Sequence, residues 1–253
     1  MMRKSLLTFA LLCCFAAVFG QRVRVVSYNI HHGNPPAQAG KIDLEAIAKV
    51  IIDSKADLVG LQEVDVRIPR SGGIDQAHQL AQLTGMYYFF SKGIDYDGGE
   101  YGTLILSRYP IVGNRRYELP MPESSEGRSL AIVDVALPHG RTISFANTHL
   151  DLNETNKVAQ AGYINELGDW YDRPLILVGD MNAKPQSKAI QLLDTCFARN
   201  VELNGPTYPN QAPDSEIDYI MVGKHSNVVW RTYKTLSSDA SDHFPLFAEI
   251  EFK

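Results

Sequence analysis

The chain has 253 residues, with 24 Lys and Arg against 29 Asp and Glu and a formal net charge of −5. It shows no dense Lys/Arg stripe, the basic face with which proteins that grip long nucleic acid neutralise phosphates, so charge disfavours a polymeric nucleic-acid partner without excluding one. Three cysteines, two of them within the first fourteen residues, offer the mature chain no disulfide framework, and stability has to come from an ordinary core of the kind a chain this long can bury as one domain.

Met1-Met2-Arg3-Lys4 and the apolar run from Leu6 to Phe19 read as an export signal, with Val18 and Gly20 at −3 and −1 of a cleavage site before Gln21. The run is short for a membrane span and a polar, strand-like segment follows at once, so no transmembrane segment is expected in the mature chain. Neither Cys13 nor Cys14 follows a small residue, which argues against a lipoprotein anchor. The expectation is therefore a signal peptide over 1–20, one domain over 21–253, and a periplasmic or secreted protein. Cleavage removes Arg3 and Lys4, takes the formal charge from −5 to −7 and leaves Cys196 as the one cysteine. No linker, repeat or charge block divides the rest, and nothing calls for an obligate protein partner.

Arg22 to Ile30 alternates and then turns apolar, as a strand does. Asp43 is placed as an N-cap, and Leu44, Ile47, Ala48 and Ile51 at i, i+3, i+4 and i+7 form one helical face. Asp57 to Glu63 reads as a short buried strand ending in charge, and 75–84 as a helix stopping before Gly85. Strands are expected at 86–91, 102–107, 111–119, 129–137 and 142–150, with hairpins joining 102–107 to 111–119 and 129–137 to 142–150. Met86 to Phe90 reads as a core strand. A polar helix over 154–168, a strand at 174–179, a short helix near 187–194 and strands at 217–222, 228–235 and 244–252 complete the chain. That inventory holds more strands than a doubly wound fold needs. It suits an α/β sandwich of two mixed, largely antiparallel sheets packed face to face, with helices on the outer faces. Trp170 and Trp230 are read as packing residues.

Polar residues recur where these strands run out. Asn29-Ile30-His31-His32 follows the first strand, Gln62-Glu63 the second, and Asn147-Thr148-His149 the strand at 142–150. Asp180 and Asn182 follow Leu175 to Val178, while Asp218 and Asp242-His243 flank the last strands. Carboxylates crowded together repel unless they are protonated or hold a cation. Hard oxygen donors with an amide or two suit Mg²⁺, with Mn²⁺ or Ca²⁺ as substitutes, rather than zinc.

The ordered set Ser27-Tyr28-Asn29-Ile30, Leu61-Gln62-Glu63, Leu104 to Arg108, Asn147-Thr148-His149-Leu150, Gly179-Asp180-Met181-Asn182, Ile217-Asp218-Tyr219 and Ser241 to Leu246 resembles the endonuclease/exonuclease/phosphatase (DNase I-like) family. It spans nearly the whole mature chain. The resemblance implies a four-layered α/β sandwich and a Mg²⁺-dependent hydrolase of phosphoester bonds that acts by in-line attack of an activated water. It also implies the roles. Glu63 is the principal metal carboxylate, Asn29 supports the metal or the scissile phosphate, and Asp242 is a further ligand, direct or through water. Asp180 orients or deprotonates the attacking water, and Asn182 holds that water or a phosphoryl oxygen. His243 donates to the non-bridging oxygen and is oriented by Asp218. His149 contacts phosphate or assists the leaving group, against the rival reading of a core histidine satisfied by backbone.

Substrate contacts are expected from His31, with His32 pointing away, and from Tyr101, Arg70 and Arg128, since the planar arginine fork suits phosphate. Acidic charge favours a small or lipid-derived phosphodiester or phosphomonoester as the substrate. An endo- or exonuclease is the alternative, and a catalytically dead binding protein of the same fold the less favoured one.

Overall fold

The computed structural model describes residues 20–202 and 205–253. The leader expected over 1–20 thus lies, up to residue 19, outside the described residues. The remaining chain forms two six-stranded sheets, in the orders β11-β12-β1-β2-β4-β3 and β5-β6-β7-β8-β10-β9. The first sheet is built from β1 (Gln21–Asn29), β2 (Leu58–Val66), β3 (Tyr87–Tyr96), β4 (Gly99–Ser107), β11 (Val228–Thr235) and β12 (Leu246–Phe252). The second uses β5 (Ile111–Glu118), β6 (Ser129–Ala136), β7 (Thr142–His149), β8 (Leu175–Asp180), β9 (Phe197–Arg199) and β10 (Asp218–Gly223). Helices α1 (Leu44–Ser54) and α2 (Gln76–Thr84) accompany the first sheet, and α3 (Glu154–Asp169) and α4 (Lys188–Cys196) the second.

Period-two alternation sets the layers. Val23 and Val25 of β1 meet Phe145, Ile176, Val178 and Ile220 of the other sheet in a central core. Val26 and Tyr28, one residue out of phase, face Ile47, Ile51 and Leu80 of the helices. On the second sheet Leu175 and Leu177 pack on Ile164 and Leu193. The result is the expected four-layered sandwich. Asp43 caps α1 as read, its carboxylate accepting from Ala46 N at 3.0 Å.

Two parallel pairs decide where the site lies. β1 and β2, joined through α1, run parallel with Asn29 opposite Gln62. β7 and β8, joined through α3, run parallel with His149 opposite Asp180. β10 lies antiparallel to β8 with Asp218 opposite Asp180. The carboxyl ends of both parallel pairs thus open on one edge of the sandwich, the place where open α/β sheets gather ligands.

Several expectations change. β4 and β5 do not form a hairpin, because Arg108-Tyr109-Pro110 carries the chain from one sheet to the other. The hairpin is β3–β4, closed by Asp97 and Gly98, both with positive φ as a two-residue primed turn requires. Its first strand runs five residues beyond the 86–91 strand read from the sequence, past a register shift between Lys92 and Ile94. Being an edge, β3 exposes Tyr87 and Tyr88 instead of burying them in a core. Trp230 packs on the central core, whereas Trp170 stands exposed at the end of α3. The three-residue β9 had no periodicity to announce it.

Candidate active site

Glu63 sits where β2 slips register against β4, between Leu61 and Val64. Its backbone is left-handed (φ 59°), a conformation a non-glycine residue holds only when its surroundings fix it. Asn29, at the end of β1 and buried, bridges the two halves of the site. Its Nδ2 donates to Glu63 Oε1 at 2.9 Å and to Asp180 Oδ2 at 3.0 Å, and its Oδ1 accepts from His31 N at 3.0 Å. Burial works to raise the Glu63 carboxyl, but His32 and the hydrogen bond from Asn29 outweigh it and hold the group below the usual carboxylate range.

Asp180 ends β8 with both carboxylate oxygens occupied, Oδ1 by Asn182 N at 2.8 Å and Oδ2 by Asn29. Burial and the neighbouring Asp218 push its carboxyl up to about 7. Asn182 is left-handed at φ 47°, and its side-chain amide donates to Leu150 O at 2.9 Å and lies 3.0 Å from His149 Nε2. On the other edge of the imidazole, Arg128 Nη1 lies 3.1 Å from His149 Nδ1. Burial and the Arg128 charge keep this histidine neutral. His243 Nδ1 meets Asp218 Oδ2 at 2.8 Å, and its Nε2 lies 3.7 Å from Asp180 Oδ2. Burial opposes protonation of His243, but Asp218 and Asp180 prevail and raise it above the ordinary imidazole range.

The chain therefore brings Asn29, Glu63, His149, Asp180, Asn182, Asp218 and His243 into one connected cluster. Arg128 joins it through His149, and Tyr101 through its electrostatic contacts with Glu63 and Arg128. Asp242 borders it. Its carboxylate accepts from Ser241 Oγ, which also donates to Asn29 O at 2.7 Å. Arg70 is committed elsewhere, with Nε and Nη2 clamping Asp65 at 2.8 and 2.7 Å and the guanidinium over the rings of Tyr96 and Tyr101. His31 Nδ1 is engaged by Asn34 O at 2.9 Å. His32, read from the sequence as pointing away, is the ring that faces the carboxylate, with Nδ1 3.9 Å from Glu63 Oε2. Two left-handed residues in succession (φ 44° at both) undo the alternation that a strand would have given them.

The donor chemistry fits a hard cation. Among the described residues, no Lys or Arg forms an ion pair with Glu63, Asp180, Asp218 or Asp242. The buried Asp218 Oδ1 and His32 Nδ1 have no hydrogen-bond partner. One oxygen each of Asp180 and Asp218 lie within 4.8 Å of one another, beside the charged ring of His243. Glu63 and Asn29 offer further oxygens alongside.

Two residues escaped the sequence reading. Thr207 is fully buried and its Oγ1 donates to Asp218 Oδ2 at 2.6 Å, while the ring of Tyr208 lies against His243 with centroids 4.7 Å apart. Their segment has no strand or helix period, and its one local signal was the turn chemistry of Pro209 and Asn210.

The family model described as "Endonuclease/Exonuclease/phosphatase family" matches residues 26–243. The protein YbhP of Escherichia coli K12 is 28% identical over 249 residues, covering 90% of this chain and 95% of its own. The crystal structure of an endonuclease/exonuclease/phosphatase family protein from Bacteroides thetaiotaomicron superposes with a TM-score of 0.79 at 20% identity, over 92% of this chain and 99% of that one. A mannosyl-6-phosphatase of the same organism gives 0.75 at 21% identity, over 91% and 100%. At these identities the two structures speak for the fold.

Proposed function

The chain belongs to the endonuclease/exonuclease/phosphatase family, and from that premise we propose that it is a divalent-cation-dependent hydrolase of a small or lipid-derived phosphoester, with Mg²⁺ as the cation. One observation carries the reading. The single amide of Asn29 ties the Glu63 carboxylate to the Asp180 carboxylate, 2.9 and 3.0 Å from each, so a cation-binding group and a proton acceptor stand within reach of one phosphorus atom. Glu63 and Asn29, with Asp242 beside them, would hold the cation, which when bound draws charge from a phosphoryl oxygen and the leaving oxygen.

The protein's own groups do the rest. Asp180 takes a proton from the attacking water, and a carboxyl raised towards neutrality is a better base for that step than an ordinary one. Asn29 and Asn182 fix both its oxygens, so the water is aimed without further loss of freedom. His243, kept charged by Asp218, presents Nε2 as a donor to the non-bridging oxygen on which negative charge builds. His149, neutral, offers a hydrogen bond to the phosphoryl group or the leaving oxygen. Asn182 steadies the imidazole. No covalent intermediate on the protein is needed. The net charge of −5 supports a small substrate over a polynucleotide. Export by the leader read over 1–20 belongs to the same proposal and is tested by fractionating cells that express the full chain.

The deciding experiment is a panel run with Mg²⁺ or EDTA: bis-p-nitrophenyl phosphate, p-nitrophenyl phosphate, sphingomyelin, inositol phosphates and plasmid DNA. Cation-dependent turnover of a small ester is expected. Turnover confined to plasmid DNA and falling steeply with salt would replace this reading with a nuclease, and inertness across the panel would leave a binding protein.

A further inference from the structure

Helix α3, read from the sequence as a polar helix, buries Asn156, Lys157, Gln160 and Asn165. Three of the four have evident duties in joining segments. Asn156 pins Glu123 and Asp151, Gln160 takes Asp151 N and Pro120 O, and Asn165 holds Leu192 O. Lys157 is different. A lysine 8% exposed gives up hydration that only a specific partner can replace. Its Nζ donates to the main-chain carbonyl of Asn182 at 2.8 Å and reaches Glu154 Oε2, an exposed carboxylate, at 3.1 Å.

Asn182 is the strained residue whose backbone N–H fixes Asp180 Oδ1 and whose amide reaches His149 Nε2. It is held from three sides, at N by Asp180, at Nδ2 by Leu150 O and at O by Lys157. A left-handed asparagine relaxes when such restraints go, and a return of φ at Asn182 to the ordinary negative region would swing both its carbonyl and its side-chain amide, the latter away from His149. From this geometry we infer that Lys157 is a positioning residue: the buried ammonium locks the Asn182 peptide and, through it, the geometry of Asp180 and His149. The inference rests on the phosphoester-hydrolase reading of the site. Lys157 touches neither phosphate nor cation, and its effect is on orientation during turnover.

The test compares K157M, K157R, N182A and K157M/N182A with Mg²⁺ and bis-p-nitrophenyl phosphate, alongside the Asn182 side-chain amide signal in ¹H–¹⁵N spectra. K157M is expected to lower kcat roughly 10- to 100-fold, as loosening the support of a catalytic group does, with KM within about twofold. K157R, which keeps a charged donor, recovers most of the loss. Because Lys157 acts through Asn182, K157M/N182A is no slower than N182A within about twofold, whereas independent roles would multiply. The Asn182 amide signal moves in K157M and stays in place in E154Q. A folded K157M keeping more than about half the wild-type kcat, or losses that multiply in the double variant, would overturn the inference. Should K157M not fold, K157Q, too short to span the gap, carries the same comparison. If the wild-type protein hydrolyses nothing in the panel, the hydrolase reading fails, while the amide signal still decides whether Lys157 holds Asn182.

Discussion

Two groups of buried carboxylates in this molecule stand in contrasting surroundings. At the opposite end of β2 from the site, Asp57 pairs with Arg24 Nε and Arg108 Nε, both at 3.2 Å. Asp65 is clamped by Arg70, and Asp134 by Arg115 and Arg173. Each of these has its charge answered by a guanidinium and its oxygens filled. Glu63, Asp180 and Asp218 have amides, imidazoles and, at Asp218 Oδ1, nothing. The same side chain is cement in one place and an unsettled charge in the other, and the difference lies in whether the protein itself supplies the cation. Asp180, held by amides and pushed up to about 7 by burial and Asp218, can take a proton near neutrality.

The largest effect expected from this contrast is on turnover. Asp180→Asn keeps shape and removes the proton acceptor, and His243→Ala removes the donor. Either should cut kcat by roughly a thousandfold or more. Circular dichroism should stay close to wild type, so that the lost turnover is not lost fold. A near-normal rate in either purified variant would erase the distinction between the two kinds of carboxylate.

Asp57→Asn reverses the pattern. It takes the carboxylate from two half-exposed guanidinium groups and from the buried Arg24 N–H, a loss of up to about 3 kcal/mol. Urea unfolding should show that loss, while kcat of the surviving native protein remains within about twofold of wild type because the cluster shares no partner with the site.

Smaller in energy is the response to the ion and to pH. A cation that binds the native state alone at a hundred times its Kd stabilises by about 2.7 kcal/mol, so Mg²⁺ should raise the midpoint of the wild type and leave Glu63→Gln nearly unmoved. In EDTA, Asp180 adds a pH signature. Its folded-state carboxyl lies above the unfolded value, so the stability it contributes is complete below the ordinary aspartate range and lost as pH rises through about 7. Asp180→Asn escapes that loss. Its midpoint should exceed the wild type's increasingly from pH 5 to pH 8, and Mg²⁺ should narrow the gap. A gap independent of pH would show that Asp180 is an ordinary ionised carboxylate in the fold.

Much of this was legible in the sequence. Alternation in β1 and β8 and the helical spacing of Leu44, Ile47, Ala48 and Ile51 reflect which faces are buried, so the four layers could be read from them. The site cluster could be read because its members stand where apolar strands end. What could not be read depends on contacts between distant segments. The shift from β4 to β5 turns on which sheet has room for the strand, and no local pattern encodes that. His32 turns towards Glu63 against expectation, after two left-handed backbones in succession. Thr207 and Tyr208 reach the site from a stretch without periodicity, and Lys157 lies on a helix whose polar residues look like solvent-facing ones until the loops that cover them are seen.

Asn147 puts the smallest and most pointed question. It stands in the Asn-Thr-His stretch beside His149, two residues from the chemistry, and its sequence context matches that of a catalytic amide. In the fold it is a staple between the sheets. Its Nδ2 donates to Leu61 O and Leu104 O at 2.9 and 3.0 Å, and its Oδ1 accepts from Gln62 Nε2 at 2.7 Å. Gly60 lies against it so closely that a Cβ there would collide with Asn147 and Val178. Asn147→Ala therefore strips buried partners of hydrogen bonds and should cost about 1–3 kcal/mol of stability. Turnover per folded molecule should hold within about threefold, because the lost bonds face the core and not the phosphate. A variant of unchanged stability and greatly reduced kcat would move Asn147 across the line, from the carboxylates' cement to their chemistry.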